Sequence, residues 1–333
     1  MPVYRFPQNF KWGSATSAHQ IEGDNHNDWS DWENSLARIE ELKKEGKNPN
    51  DFISGKACDS YNRYQEDFDI VKQLGQGIYR FSIEWSRIEP EEGRFDSEAM
   101  QHYIDVVNAL RDRGIEPMVT LWHFTNPIWF AKKGGFLNID SLKYFIRYVK
   151  YVVDNLKNQV GLWITFNEAL TVYSGFTKLN ATWPSQSRGV FSFLKARKNI
   201  AKAHILAYRE IKKIYNHSSV DLNNENQSDL SDLCRARGLL KGMSHNVMVG
   251  IAENNVYVPE VRGMLRMQCR LLYKQLRNFH FFGKNIPYYD FIGLNYYHIS
   301  RKPFFNQKYE IISKQETDEV MNWELYPEGL YHV

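Results

Sequence analysis

The sequence predicts an α/β fold of parallel strands joined by helical crossovers, of the (β/α)-barrel type. Three observations predict it. Short β-like runs alternate with stretches of helical periodicity, and the strand-then-helix order recurs six times, which implies parallel strands linked by right-handed crossovers. Each run is apolar in its first part. Each then ends in polar or aromatic residues, and the C-terminal ends of the strands are where (β/α) barrels build their active sites.

The first run is Phe10-Lys-Trp-Gly-Ser-Ala-Thr16, and the next is Ile78-Tyr-Arg-Phe-Ser-Ile-Glu-Trp85. Residues 116–123, 162–168, 248–252 and 290–297 give the other four. Between the first two, Tyr61, Tyr64, Phe68, Val71 and Leu74 recur three and four apart, with Gly75 as a stop. Met100, Tyr103, Ile104, Val107 and Leu110 repeat the pattern, with Asp96 as N-cap and Gly114 as C-terminal stop. Residues 140–157, 192–215 and 259–282 predict three more helices. Residues 216–235, rich in Asn, Ser and Asp, read as a flexible surface loop between the fourth helix and the fifth strand. The chain reads as one domain over 1–333.

Composition narrows the function classes. Hydrophobic residues at 43% and charged residues at 24% are ordinary globular values, which argues against a disordered or collagen-like chain. A net charge of +3, from 42 basic and 39 acidic residues, is too balanced for a nucleic-acid footprint. Aromatics reach 15%, enough to furnish a flat-faced binding site, although most such rings pack in cores. No stretch approaches the ~20 apolar residues of a membrane helix, and no apolar signal core follows Met1, so a cytoplasmic location is expected. Cys58, Cys234 and Cys269 are odd in number and far apart, which fits reduced thiols better than a disulfide frame or a zinc site. The sequons at Asn180, Asn216 and Asn226 read as chance matches.

The sharpest chemical signal is Thr165-Phe166-Asn167-Glu168 at the end of an apolar run. A carboxyl group at a strand end facing a barrel mouth is desolvated, which favours its protonated form and suits it to donate a proton at neutral pH. Asn167 would hold a substrate hydroxyl beside it. On that tetrapeptide alone, a carboxylate at a helix start is an equally good reading. Its surroundings extend the pattern. Phe6-Pro-Gln-Asn-Phe-Lys-Trp-Gly-Ser-Ala-Thr-Ser-Ala-His-Gln-Ile-Glu-Gly23 precedes Ala57-Cys-Asp-Ser-Tyr61 and Tyr79-Arg-Phe-Ser-Ile-Glu-Trp-Ser-Arg-Ile88. Then come Thr120-Leu-Trp-His-Phe-Thr125, Asp290-Phe-Ile-Gly-Leu-Asn-Tyr-Tyr297 and Trp323-Glu-Leu-Tyr-Pro-Glu-Gly-Leu-Tyr331.

In these motifs and their order the chain resembles glycoside hydrolase family 1, the β-glucosidase and 6-phospho-β-glycosidase family. The resemblance implies an eight-unit TIM barrel and hydrolysis of terminal β-glycosidic bonds with retention. Such chemistry needs two carboxyl groups ~5 Å apart. Glu168 matches the family's acid/base. Gln20, His123 and Asn167 match positions that grip sugar hydroxyls, work for which an amide supplies both donor and acceptor. Taken by itself, His123 would read as a satisfied core histidine. Arg80 and Tyr297 match groups that hold the family's nucleophile, and Asn295 matches a substrate-binding position facing the same pocket. Trp122, Trp129 and Trp183 read equally as sugar-stacking walls or as core. Glu22 and Glu84 read as supporting or surface groups. No cofactor and no metal is implied, and the expected ligand is a small β-glycoside or oligosaccharide, with no nucleic acid or membrane.

The sequence departs from the family in three places. Ala169 replaces the usual proline, and Trp-His-Phe-Thr replaces the commoner Tyr-His-Trp-Asp. The family's nucleophile lies in an Ile/Val-Thr-Glu-Asn-Gly segment, and no Thr-Glu-Asn-Gly occurs in the 333 residues; Ala252-Glu-Asn-Asn255 comes nearest. About six of the eight βα units are present, so a C-terminally truncated barrel without its nucleophile is expected. Such a chain would have very low activity and would be poorly stable or self-associating. The alternatives are a non-hydrolytic sugar-binding relative, or a half-barrel that needs a complementary C-terminal chain.

Overall fold

The computed structural model describes residues 5–173, 184, 189–224, 247–257 and 288–299. One parallel sheet carries β1 (Gly13–Ala15), β2 (Ile78–Ser82), β3 (Glu116–Thr120), β4 (Leu162–Asn167), β5 (Met248–Tyr257) and β6 (Phe291–Ile299), in that spatial order. An order without reversal is the wall of a barrel; a doubly wound sheet reverses partway along. Among the described residues β1 pairs only with β2 and β6 only with β5, so the wall is a six-stranded arc, a partial barrel.

Short helices α1 (Ala18–Ile21), α2 (Asp28–Glu33) and α3 (Leu36–Lys44) occupy the long connection after β1, and α4 (Ser60–Gln73) crosses over to β2. The helical turn α5 (Trp85–Ile88) precedes α6 (Ser97–Asp112), which leads to β3. After β3 come α7 (Ile128–Lys132) and α8 (Ser141–Leu156), then β4 and the long α9 (Val190–Asn224) that returns to β5. Helix α6 starts where Asp96 Oδ1 accepts from the Glu98 and Ala99 amides, at 2.9 and 3.0 Å. Its buried face is Met100, Tyr103, Val107 and Leu110, the spacing of one helical side. Gly114, at φ +72°, ends the turn in a left-handed conformation that costs glycine nothing.

The core lies between the sheet and these helices. Phe81, Val119, Trp163 and Val249 from the strands pack in one cluster with Leu110, Tyr148, Val152 and Ile200 from the helices. Each such side chain contributes ~1.5–3 kcal/mol by leaving water. β4 is buried from Trp163 onward. Trp163 and Thr165 meet α9, through Tyr215 and His204. A register shift between Ile164 and Asn167 then changes the alternation. Phe166 packs on Phe145 of α8, and Asn167 is left to face Arg80 of β2. A bulge at a strand end re-aims a side chain in just this way.

The structure differs from the sequence reading at several element ends, β1 and β3 both being shorter than the expected runs 10–16 and 116–123. The second run, expected to reach Trp85, is extended only to Ser82, and Trp85 opens a helical turn because Glu84 accepts from the Ser86 amide and caps it. β5 runs on to Tyr257, past the apolar run that ends at Ala252, because the polar residues 253–255 stay in register with β6. Helix α9 continues through 216–224, the first part of the stretch expected to be loop. The rest of that stretch, 225–235, lies outside the described residues, as do the helix expected at 259–282, Trp183, and the Trp323–Tyr331 motif. No helix among the described residues is long and apolar enough to cross a membrane.

Candidate active site

The C-terminal ends of β2, β3, β4 and β6 bring five of the predicted residues into one hydrogen-bonded group. Asn167 is its centre. Its Oδ1 accepts from Arg80 Nη2 at 2.5 Å and from Asn295 Nδ2 at 3.0 Å, and its Nδ2 lies 3.2 Å from His123 Nε2. Asn295 Nδ2 also donates to Glu168 Oε1 at 2.6 Å. Arg80 reaches further, through Nε to Thr120 Oγ1 at 3.0 Å and through Nη1 to Asn295 Oδ1 at 3.5 Å. The three oxygens that accept from Arg80 here belong to neutral side chains. Parallel register explains why Thr120 is there: it ends the strand next to Arg80's strand, with Ser82 as its partner. The sequence reading gave Thr120 no role, although it opens the Thr120–Thr125 motif.

The network fixes the state of His123. An amide nitrogen only donates, so Nε2 of His123 accepts and the ring proton sits on Nδ1. Nδ1 is buried and has no hydrogen-bond partner among the described residues. Burial, together with the charges of Arg80 and His19, pulls the His123 pKa down to about 3, so the ring is neutral at physiological pH. A neutral ring with an unused N–H beside an amide and a carboxyl is an arrangement suited to a hydroxyl-rich ligand.

Glu168 is buried, at 5% exposure, and its backbone is unusual. It sits at φ +49°, in the left-handed region, with its amide donating to Ala252 O at 2.7 Å. A short π-helical turn, Ala169–Tyr173, follows at once, and π turns cluster at functional sites. Phe124, next to His123, also has a positive φ, +74°. Such strain persists where the surroundings over-determine it, and it gathers at functional sites.

No described side-chain hydrogen bond joins the other predicted residues to this group. Gln20, in α1 just after β1, is exposed and accepts from Ser17 Oγ at 2.6 Å. No described hydrogen bond joins it to the Asn167 group. Tyr297 lies on β6, and its side chain is outside the described residues. Trp122 is core: it is 1% exposed, packs edge-on against Phe136 and Tyr173, and donates to Asn126 Oδ1. Trp129 packs edge-on against Trp85, donates to Glu89 O, and lines a separate cavity of about 870 Å³ shared with Arg87, Asp96 and Lys132. Glu22 and Glu84 form a buried support. Glu22 accepts from Tyr103 Oη at 2.8 Å and pairs with Arg87 at 3.0 Å, while Glu84 accepts from Ser86 and Thr125 hydroxyls. Burial raises the Glu22 carboxyl to about 7 against the pull of Arg87. Burial likewise raises Asp28 to about 7, although Asn126 donates to it twice. No group of three or more His, Cys, Asp or Glu that would hold a metal occurs among the described residues.

Comparison with known proteins meets this geometry from another side. The model of glycosyl hydrolase family 1 matches residues 3–333. Beta-glucosidase A of Thermotoga maritima is 28% identical over an alignment that covers 100% of this chain and 75% of the relative. A beta-glycosidase from Pyrococcus horikoshii superposes with a TM-score of 0.75 at 33% identity, covering 100% of this chain and 73% of that one. A beta-glucosidase from Thermotoga maritima in complex with deoxynojirimycin gives 0.78 at 25% identity, covering 99% and 75%. The chain thus spans about three-quarters of the length of such relatives. A family match from end to end, on an arc of parallel strands with its polar residues gathered at their C-terminal ends, means that the chain belongs to glycosyl hydrolase family 1.

Proposed function

We propose that this chain supplies the acid/base and hydroxyl-gripping part of retaining β-glycoside hydrolysis. The hydrogen-bonded run from His123 through Asn167 and Asn295 to Glu168 carries the reading. In the first step Glu168 gives its proton to the leaving oxygen as the bond from that oxygen to the anomeric carbon breaks and a carboxylate bonds to the same carbon. In the second step Glu168, now ionised, takes a proton from the water that displaces that carboxylate. Asn167, His123, Gln20 and Asn295 hold sugar hydroxyls, while Arg80 and Tyr297 form the bed on which the nucleophilic carboxylate would rest. The substrate class is the β-glucoside type, supported by the β-glucosidases among the relatives and by the sugar analogue bound in one of them.

The second carboxylate is the missing part of the reaction, since no Thr-Glu-Asn-Gly segment occurs in the 333 residues. The same proposal therefore includes association through β1 and β6, each paired on one side only among the described residues, with a second copy or with a chain that carries the remaining units. A cytoplasmic location belongs to it too, supported by Cys58, an exposed free thiol.

The test is turnover of an aryl β-glucoside by the chain alone, with and without azide. The expected result is no hydrolysis above background. Azide, taking the place of the carboxylate, should yield an α-glucosyl azide. With a poor phenol leaving group that reaction should fall at least ~100-fold in Glu168→Gln, the scale of general acid catalysis. Rescue indifferent to Glu168→Gln would contradict the role given to Glu168.

A further inference from the structure

The segment Ala252-Glu-Asn-Asn255 looks most like the absent nucleophile motif, yet its carboxylate is engaged elsewhere. Glu253 is 3% exposed, and its Oε1 accepts from the Leu170 amide at 2.9 Å. Its neighbour Ala252 accepts, through its carbonyl, from the Glu168 amide at 2.7 Å. Two consecutive residues of β5 thus hold the two backbone donors on either side of Ala169. Between those anchors the chain follows a strained path. Glu168 is left-handed, and its carbonyl accepts from the Tyr173 amide, five residues on, at 2.9 Å. A strained turn of this kind is kept only by contacts that leave it no alternative. Arg197 of α9, also buried, faces the same spot: burial lowers its pKa and the charge of Glu253 opposes that.

We propose that Glu253 is a positioning residue for Glu168: its carboxylate fixes the turn that aims the Glu168 carboxyl at Asn295. The importance of that aim rests on Glu168 being the proton donor; the geometry of the clamp does not.

The experiment uses the chain as it is, together with Glu253→Gln, which keeps an oxygen acceptor, and Glu253→Leu, which removes it at similar size. Two quantities are read: hydrogen exchange at the Glu168 and Leu170 amides, and the carboxyl carbon resonance of Glu168, assigned by its loss in Glu168→Gln. In the unaltered chain both amides should exchange at least ~100-fold more slowly than in an unstructured peptide. Glu253→Gln should keep Leu170 protection within about threefold and leave the Glu168 resonance in place. Glu253→Leu should lose at least ~10-fold protection at Leu170 and displace that resonance, while the amides of α6 stay protected. An unprotected Leu170 in the unaltered chain overturns the proposal, as does a folded Glu253→Leu chain in which both readouts are unchanged. Should Glu253→Leu not fold, loss of Leu170 protection in a folded Glu253→Gln chain overturns it. None of these readouts involves turnover, so they stand apart from the azide test of Glu168 as acid.

Discussion

Asn167 shares one oxygen between Arg80 and Asn295 and turns its amide protons to His123. That makes it the most informative single residue in the site. Asn167→Asp keeps the oxygen for Arg80 but places a second oxygen opposite His123 Nε2. The carboxylate then favours a proton on that nitrogen, so the His123 pKa should rise from about 3 by about two units, as an adjacent opposite charge does. Titration of the ring resonances by NMR checks this. An unmoved His123 would mean that the two side chains do not face each other as described. The sequence supplied the members of this group through motif resemblance, but not its wiring. Asn167 and Asn295 are 128 positions apart, and nothing in either motif says that one amide bridges the other to Glu168. Gln20 belongs to the proposed site through its motif alone, since no described hydrogen bond joins it to this group.

Elements were legible where apolar periodicity speaks and obscure where polar residues stay in regular structure. Helix α6 is the clearest case, since Asp96 and Gly114 mark its ends in the sequence and cap it in the structure. Asp96→Ala removes the acceptor of two amides and should cost about 1 kcal/mol of stability, read as a lower urea midpoint with unchanged slope. No change would mean that the Glu98 and Ala99 amides find other partners. β5 shows the reverse. Its apolar run stops at Ala252, but the strand continues because Glu253, Asn254 and Asn255 pair with Leu294, Asn295 and Tyr296. The mouth of a barrel needs polar side chains on extended backbone, and a reading based on hydrophobic runs truncates such strands. The bulge in β4 is invisible for a similar reason: one extra residue alters which face Asn167 takes without altering composition.

The chain as a whole couples its stability to buried carboxyls around the first connection. Folded Glu22 holds its proton up to about pH 7, whereas its ordinary value is 4.5. Its contribution is therefore full below about 4.5 and is lost as pH rises through 7. The stability of the unaltered chain relative to Glu22→Gln should accordingly fall between pH 5 and pH 8, by up to ~3 kcal/mol, measured by urea unfolding across that range. His123 acts in the opposite sense, since its lowered pKa costs stability as pH falls from 6.5 towards 3. It is unchanged in Glu22→Gln and cancels in the comparison. A difference that is flat in pH would mean that Glu22 is ionised throughout. Among the described residues β1 and β6 each pair on one side only, and an unpaired edge exposes backbone groups, so light scattering should find the chain larger than a monomer at high concentration. A compact monomer with a cooperative melt would count against that. The most direct measurement of the central claim remains turnover of an aryl β-glucoside by the 333-residue chain. The account predicts none without azide, and with azide an α-glucosyl azide whose formation depends on Glu168. Hydrolysis without azide that Glu168→Gln abolishes would contradict it, because another carboxylate of this chain would then be acting as the nucleophile.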